Sequence, residues 1–212
     1  MSDNPLAHPG SPQSRRLVLL AVAVVTVMGT LGSAFSPALL VHYPLALLAL
    51  SPDIRHLVLV AAQVDYGPAL AAGLPRRAAG LAAMYGVGFF YGPVALLWFE
   101  QKAPRLGGAL RWFEALFARF GAPLLVLFPV YTLGALAGAA GTRLKVFVPA
   151  MLLGQALYIT AGYYLGDAVT EWTQPFVRWL TEHIVASTLV CVALVGAQQL
   201  WSRRGKQPTL GE

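Results

Sequence analysis

The stretch GAPLLVLFPVYTLGALAGAAGTRLKVFVPAMLLGQALYITAGYYLG, residues 121–166, decides how the rest of the chain is interpreted. Its first half, Ala122–Gly141, is apolar but is interrupted by Pro123, Pro129, Gly134, Gly138 and Gly141. Its second half, Val146–Gly166, is apolar and almost uninterrupted. This order predicts a re-entrant hairpin followed by a spanning helix, because irregular backbone at membrane depth persists only where protein or a water-filled cavity surrounds it. Broken segments of this kind indicate a transport site.

The composition of the chain predicts an integral membrane protein. Of its 212 residues, 57% are hydrophobic and only 11% are charged, whereas a soluble domain carries about 25% charged residues. The formal net charge of +6 does not indicate nucleic acid binding. Its basic residues lie in loops that flank apolar runs, where they set orientation and contact anionic headgroups. The single cysteine, Cys191, excludes an intrachain disulfide.

Four apolar segments predict spanning helices. They are Leu17–Leu31, Ala78–Phe99, Val146–Gly166 and His183–Trp201. We therefore predict one membrane domain over 17–202, a disordered polar tail over 1–16 and a polar C-terminal tail over 203–212. The arginines before the first apolar run also fit a cleaved signal peptide. The length of that run and the lack of a clean cleavage site favour a retained helix.

Residues 35–75 predict irregular membrane structure rather than one more clean span. The apolar stretch Phe35–Leu50 is about half a bilayer long and contains two prolines, so whether it spans or re-enters stays open. We predict a first hairpin centred near Asp65–Pro68, which Arg76 and Arg77 would close. Asp53, Arg55 and His56 precede that hairpin as an interfacial loop with an aspartate cap, or as a gate at a cavity mouth.

Two further segments have apolar residues at a spacing of three to four, which predicts amphipathic helices that lie in the membrane interface. They are Gln101–Phe120 and Asp167–Glu182. The resulting order is hairpin and span over 58–99, interfacial helix, then hairpin and span over 121–166, as in inverted-repeat transporters.

The basic residues orient this arrangement. With a cytoplasmic N-terminus and each hairpin returning to its own side, 11 Lys and Arg residues lie inside and 4 outside, as the positive-inside rule requires. We therefore expect a bacterial cytoplasmic membrane protein with both termini in the cytoplasm.

Several short motifs over roughly 55–166 resemble the DedA-like family, also called the VTT or SNARE-associated domain. Their order and spacing agree with that family, although each is mostly glycine and aromatic residues. The matching positions are Tyr85, Gly88 and Gly92, then Arg111-Trp112-Phe113-Glu114, Phe117 and Phe120-Gly121, then Ala137-Gly138, Phe147, Gly154 and Gly162–Gly166. The resemblance implies a transporter that moves a phospholipid or polyprenyl-phosphate headgroup across the bilayer.

The chain also departs from that family's pattern. The family carries arginines around the break of its second hairpin, and the corresponding Val126–Tyr131 has none. Leu81 and Phe89 stand where the family places Asp and Arg. In the first hairpin, Asp65 is the nearest candidate for the family's glutamate. The resemblance therefore indicates a divergent branch.

Asp65 has two interpretations that the residues leave open. A carboxylate at membrane depth costs about 2.5–3.5 kcal/mol on insertion scales and is a functional hypothesis by default. Burial would raise its pKa and make it a proton carrier. In a shallow hairpin it would instead be a solvated turn residue or helix cap.

Seven more residues are candidates for the transport path or for headgroup contact. Pro129, Gly134 and Gly138 would expose backbone carbonyls to a polar substrate, or would pack helices closely. Gln155 and Tyr158 would line a cavity or bond across helices. Arg143 and Lys145 would contact lipid headgroups.

No catalytic set, metal-spaced His/Cys cluster or phosphate loop occurs in the sequence, so we expect no enzyme activity, no metal and no cofactor. The expected function is lipid-headgroup transport coupled to protons, with membrane lipids and protons as partners and no nucleic acid. The alternatives are a proton-coupled transporter for a small solute or drug, and a membrane organiser or assembly protein that transports nothing. A homo-oligomer stays open.

Overall fold

A computed structural model describes residues 12–102 and 120–204, with side chains described for 12–92 and 120–201. These residues form α-helices and short connections, and no β-strand occurs among them. The predicted all-α class is therefore confirmed. In chain order the helices are α1 (Pro12–Ala34), α2 (Ser36–His42), α3 (Pro44–Leu50), α4 (Ile54–Val60), α5 (Tyr66–Lys102), α6 (described over 120–127), α7 (Tyr131–Ala139), α8 (Leu144–Ala168), α9 (Thr170–Glu182) and α10 (Ile184–Arg204).

Three helices of the described chain are long and apolar enough to cross a membrane. They are α1, α8 and the part of α10 from Ile184 to Trp201, and they cover three of the four predicted spans. Because none of the residues in that apolar part of α10 is buried, its side chains need an apolar environment outside the chain. These are the features of a membrane protein.

Arg76 and Arg77 lie inside a continuous helix and do not mark the end of a hairpin, which corrects the sequence interpretation. Helix α5 runs without interruption through 37 residues, about 55 Å at about 1.5 Å per residue. It therefore contains the end of the predicted first hairpin. It also contains the remaining predicted span, Ala78–Phe99. Pro68 lies in its first turn, where the missing N–H removes no helical hydrogen bond. Both arginines are buried within the helix.

Phe35–Leu50 forms two seven-residue helices, α2 and α3, and not one spanning helix. Each has its proline in the first turn. Tyr43 interrupts the helical backbone between them, with φ −141° and ψ 62°. A residue before proline is disfavoured in the helical region, which explains this break. The prolines thus start helices here.

The terminal and interfacial predictions are met to different degrees. Helix α1 starts at Pro12, within the segment predicted as a tail over 1–16. Helix α9 occupies most of the predicted Asp167–Glu182 segment. The other predicted amphipathic helix, Gln101–Phe120, lies outside the described residues except at its ends.

The chain folds as two compact units, one of Met1–Thr26 with Leu74–Thr160 and one of Val27–Gly73 with Ala161–Glu212. In the first unit, α5, α6, α7 and α8 share an apolar core of Ala78, Leu81, Leu125, Ala137, Phe147, Ala150 and Met151. Helices α5 and α7 approach within backbone contact. A Cβ on Gly138 would lie 2.6 Å from the amide nitrogen of Phe89 and closer still to the carbonyl of Tyr85.

In the second unit, α2 packs on α3, α4, α9 and α10, and α4 packs on α3 and α9. The end of α8 lies against α4: a Cβ added to Gly162 would be 3.0 Å from the side chain of Leu57. The hydroxyl of Tyr163 donates to the carbonyl of Val64 at 3.0 Å. This bond ties α8 to the turn between α4 and α5.

We predict that Gly138→Ala lowers the free energy of unfolding by about 1–3 kcal/mol, the usual cost of overpacking. The added methyl group has no room against the backbone of α5. Gly67→Ala is the matched control, because nothing lies within 4 Å of a Cβ at that position. Thermal unfolding of both variants in detergent is the measurement. Equal melting temperatures for the two would contradict the close packing of α5 and α7.

Candidate functional site: a buried arginine at the break between α6 and α7

The side chain of Arg77 leaves α5 and ends at the non-helical residues 128–130 between α6 and α7. Arg77 is 4% exposed. Its Nε donates to Oε1 of Gln155, and its Nη2 donates to the carbonyl oxygen of Pro129 at 3.2 Å. One guanidinium therefore joins α5, the break and α8.

Gln155 completes this arrangement from α8. It is fully buried, and its Nε2 donates to the same Pro129 carbonyl at 3.1 Å. The break between α6 and α7 interrupts the helical ladder that would otherwise use that carbonyl, and a buried carbonyl without a donor is costly. Two side-chain donors meet this need.

Two tyrosine rings flank the guanidinium. The Cζ of Arg77 lies 3.6 Å from the ring centroid of Tyr158 and 5.7 Å from that of Tyr131. Tyr158 follows Gln155 by three residues, which places both on one face of α8. Cation–π attraction reaches about 2 kcal/mol when the pair is desolvated, so the rings stabilise the guanidinium at this buried position.

The two buried arginines each contact a helix that is able to span a membrane, near the midpoint of that helix. Gln155 is one residue before the midpoint of α8. The neighbouring Arg76 donates from Nη2 to the carbonyl of Val25 at 2.6 Å, and Val25 is two residues, about 3 Å, beyond the midpoint of α1. Both buried guanidinium groups are therefore near the middle of the apolar segments.

A charge buried in an apolar segment has a cost that these contacts offset. Insertion scales assign about 2.5–3.5 kcal/mol to a charge at the helix centre. A hydrogen bond to a charged group contributes about 1.5–3 kcal/mol, and Arg77 makes two to Gln155 and Pro129. Buried ionisable residues in apolar segments are functional hypotheses by default. Arg77 is therefore the strongest candidate site residue in the described chain.

The structure brings together three of the predicted pathway residues, Pro129, Gln155 and Tyr158, around an arginine that the prediction omitted. It places Gly134 and Gly138 against the backbone of α5, since a Cβ on Gly134 would lie 2.8 Å from the carbonyl of Leu81. Close packing, one of the two interpretations offered above, describes these glycines.

Asp65 belongs to the other unit and is exposed immediately before α5. Its carbonyl accepts the amide of Ala69 at 3.2 Å, so it occupies the capping position of the helix. Arg143 and Lys145 are both exposed where α8 begins. Gly141 turns the chain there with a left-handed φ of 63°, a conformation that favours glycine.

Sequence reasoning missed Arg76 and Arg77 because two arginines after a proline are typical of a loop. One signal was available. The second hairpin lacks the arginines that the DedA-like pattern places there, so a guanidinium from another element was a consistent alternative. In the described residues, no group of three or more His, Cys, Asp and Glu side chains is arranged to hold a metal ion.

Comparison of the chain with models of known families, with curated proteins and with solved structures finds no match. The DedA-like resemblance therefore rests on the motifs themselves. Several of their glycines lie at helix contacts: Gly154 faces the backbone of Leu125 and Val126, and Gly166 faces that of Val58.

We predict that Arg77→Ala lowers the free energy of unfolding by about 3 kcal/mol. The change leaves the buried amide of Gln155 and the Pro129 carbonyl without their cationic partner, and such losses cost about 1–3 kcal/mol each. Arg178→Ala on the exposed surface of α9 is the matched control and should stay within about 0.5 kcal/mol of wild type. Denaturant unfolding in detergent measures both. If Arg77→Ala unfolded at the same denaturant concentration as wild type, the cluster would not stabilise the fold.

Proposed function

We propose that this chain is a DedA-like membrane transporter that moves a phospholipid or polyprenyl-phosphate headgroup across the bilayer. In this proposal Arg77 contacts the phosphate at mid-depth. The observation that carries it is the buried guanidinium of Arg77 beside the α6–α7 break, with Gln155 and Tyr158 around it. Substrate sites of transporters lie near the bilayer midplane at broken helices.

The proposal includes two re-entrant hairpins related as an inverted repeat. One consists of α6, the break at 128–130 and α7. The other consists of α4, the turn at 61–65 and the first turns of α5. In both, a helix precedes a non-helical turn that leads into the next helix, which supports this assignment. Such turns at membrane depth need protein around them, and Gln155 and Tyr163 supply hydrogen bonds to them.

The chemistry of the site suits a phosphate. A guanidinium presents a planar set of donors that matches two phosphate oxygens. The stack on Tyr158 holds its plane, and Gln155 fixes the Nε edge. The acyl chains of a lipid substrate would stay in the bilayer, so that only the headgroup crosses along the protein. Arg143 and Lys145, exposed where α8 begins, would attract the phosphate at the surface.

Helix α9 supports a membrane-surface position in this proposal. It connects α8 and α10, and its aromatic residues Trp172, Phe176 and Trp179 are 84%, 48% and 51% exposed. Their spacing of four and three places them on one face. Tryptophan favours the headgroup level of the bilayer, so this face would lie in the interface.

One observation favours a second candidate, a membrane organiser that transports nothing. Two guanidinium donors of Arg77 are already bonded to Gln155 and Pro129, and two predicted pathway glycines pack against α5. In that case the cluster would only hold the α6–α7 break in place. The two candidates make different predictions for a conservative substitution.

We predict that the protein, reconstituted in liposomes, increases the transbilayer movement of a fluorescent phospholipid, and that Arg77→Lys reduces this movement at least tenfold. Lysine keeps the charge but loses the planar donor set, and one lost bidentate contact at about 1.4 kcal/mol is a factor of 10. Arg178→Lys, on the exposed surface of α9, is the matched control. A parallel assay uses labelled polyprenyl phosphate.

Wild-type protein that moves neither lipid faster than empty liposomes would contradict the proposal. A folded Arg77→Lys protein with the wild-type rate would assign the movement to another site. Monodispersity and melting temperature identify variants that fail only by misfolding.

A further inference from the structure

The corner between α3 and α4 holds a buried histidine in a polar cluster. His56 is 3% exposed and Ser51 is 4% exposed. The Nδ1 of His56 lies 2.6 Å from the carbonyl oxygen of Ser51. Because a carbonyl only accepts, Nδ1 carries the proton of the neutral ring, and Nε2 is the basic nitrogen.

The same corner is tied to the end of α1 through charged side chains. The hydroxyl of Ser51 donates to Oδ2 of Asp53 at 3.2 Å. Arg55 lies 3.6 Å from that carboxylate and donates from Nη2 to the hydroxyl of Ser33 on α1 at 2.9 Å. Arg55 therefore links α4 to α1, and Asp53 balances its charge.

The environment of His56 favours its neutral form. Burial lowers the pKa of His56 below the usual 6.5, and the charge of Arg55 lowers it further, against the opposing effects of the Ser51 carbonyl and Asp53. Of the elements that pack on α4, α3 has no ionisable residue and α2 has only His42, which is exposed. Helix α9 carries Glu171, Arg178 and Glu182, all exposed, and the end of α8 carries Tyr163 and the exposed Tyr164 and Asp167.

We propose that His56 is a proton-binding site of this protein, at which proton uptake redirects the Asp53 carboxylate from Arg55 to the imidazolium. The step is an acid–base transfer: the Nε2 lone pair takes a proton from a bulk acid, and no other bond breaks. The corner then holds two cations and one carboxylate. Arg55 is left without its charge balance, and its link to Ser33 weakens.

This inference adds a proton site to the lipid transport proposed above, and for that consequence it rests on the proposed function. Asp65, the carboxylate considered from the sequence, is exposed before α5. His56 is buried beside a solvated charge pair, whose side chains are 47% and 61% exposed. Bulk protons therefore reach the Asp53 side of this corner.

The first test is independent of transport. Nuclear magnetic resonance of protein with isotope-labelled histidine, in lipid nanodiscs, follows the four histidines against pH, and His56→Gln assigns the signal. We expect a neutral ring protonated at Nδ1 and a midpoint below about 6.5. Asp53→Asn should lower this midpoint and Arg55→Gln should raise it, since each changes one neighbouring charge. A midpoint insensitive to both variants, or an unprotonated Nδ1, would overturn the proposal.

The second test uses the liposome assay between about pH 5 and pH 8. Wild-type rates should change with pH, and His56→Gln should flatten this dependence, whereas Asp65→Asn should keep it. Loss of the pH dependence in Asp65→Asn but not in His56→Gln would overturn the assignment of the coupling proton to His56. Absence of lipid movement in liposomes that contain wild-type protein would contradict only the proposed function. The resonance titration would still decide whether His56 binds the proton.

Stability gives a third readout. A histidine whose pKa is lower in the folded state binds more protons when unfolded, so the fold gains stability as pH rises and loses it as pH falls below about 6.5. His56→Gln should remove this part of the pH dependence. His183→Gln, at an exposed position between α9 and α10, should leave it unchanged. The same acid sensitivity in both variants would count against His56 as the titrating group.

Discussion

The first unit depends on one constraint: Pro129 is buried in the break between α6 and α7, and its carbonyl needs donors. A buried carbonyl without a donor is costly. Arg77 and Gln155 supply these donors, and in doing so they join α5, the α6–α7 break and α8 through a single oxygen atom. A broken helix and a buried cation are each unfavourable alone in an apolar region, and here each stabilises the other.

Close backbone packing makes this exchange possible. Gly138 allows α7 to lie against α5, and Gly154 allows α8 to lie against α6. With larger residues at these contacts, the helices would be too far apart for a side chain on α5 to reach both the break and Gln155. In the second unit the end of α8 packs similarly on α4 at Gly162. The glycines that resemble DedA-like motifs therefore act first as contact points, and the polar clusters follow from the short distances.

Local and long-range features of this molecule differ in how far the sequence predicts them. The spans in α1, α8 and α10 follow from length and hydropathy, and the α2–α3 break follows from prolines that start helices. The burial of Arg77 does not follow from its neighbours, because its partners lie about 50 to 80 residues further along the chain. Asp65 was ambiguous for a related reason. Its local pattern fits a cap and a buried carboxylate equally, and only its exposure separates the two.

The central claim is that the guanidinium of Arg77 contacts a lipid phosphate within the membrane. The most direct measurement is the dipolar coupling between 31P of the lipid and isotope-labelled arginine side chains in the reconstituted protein. The difference between wild type and Arg77→Lys isolates the signal of one guanidinium. We predict a strong 31P coupling in that difference signal. A difference signal without coupling, from a protein that still moves lipid, would contradict the claim.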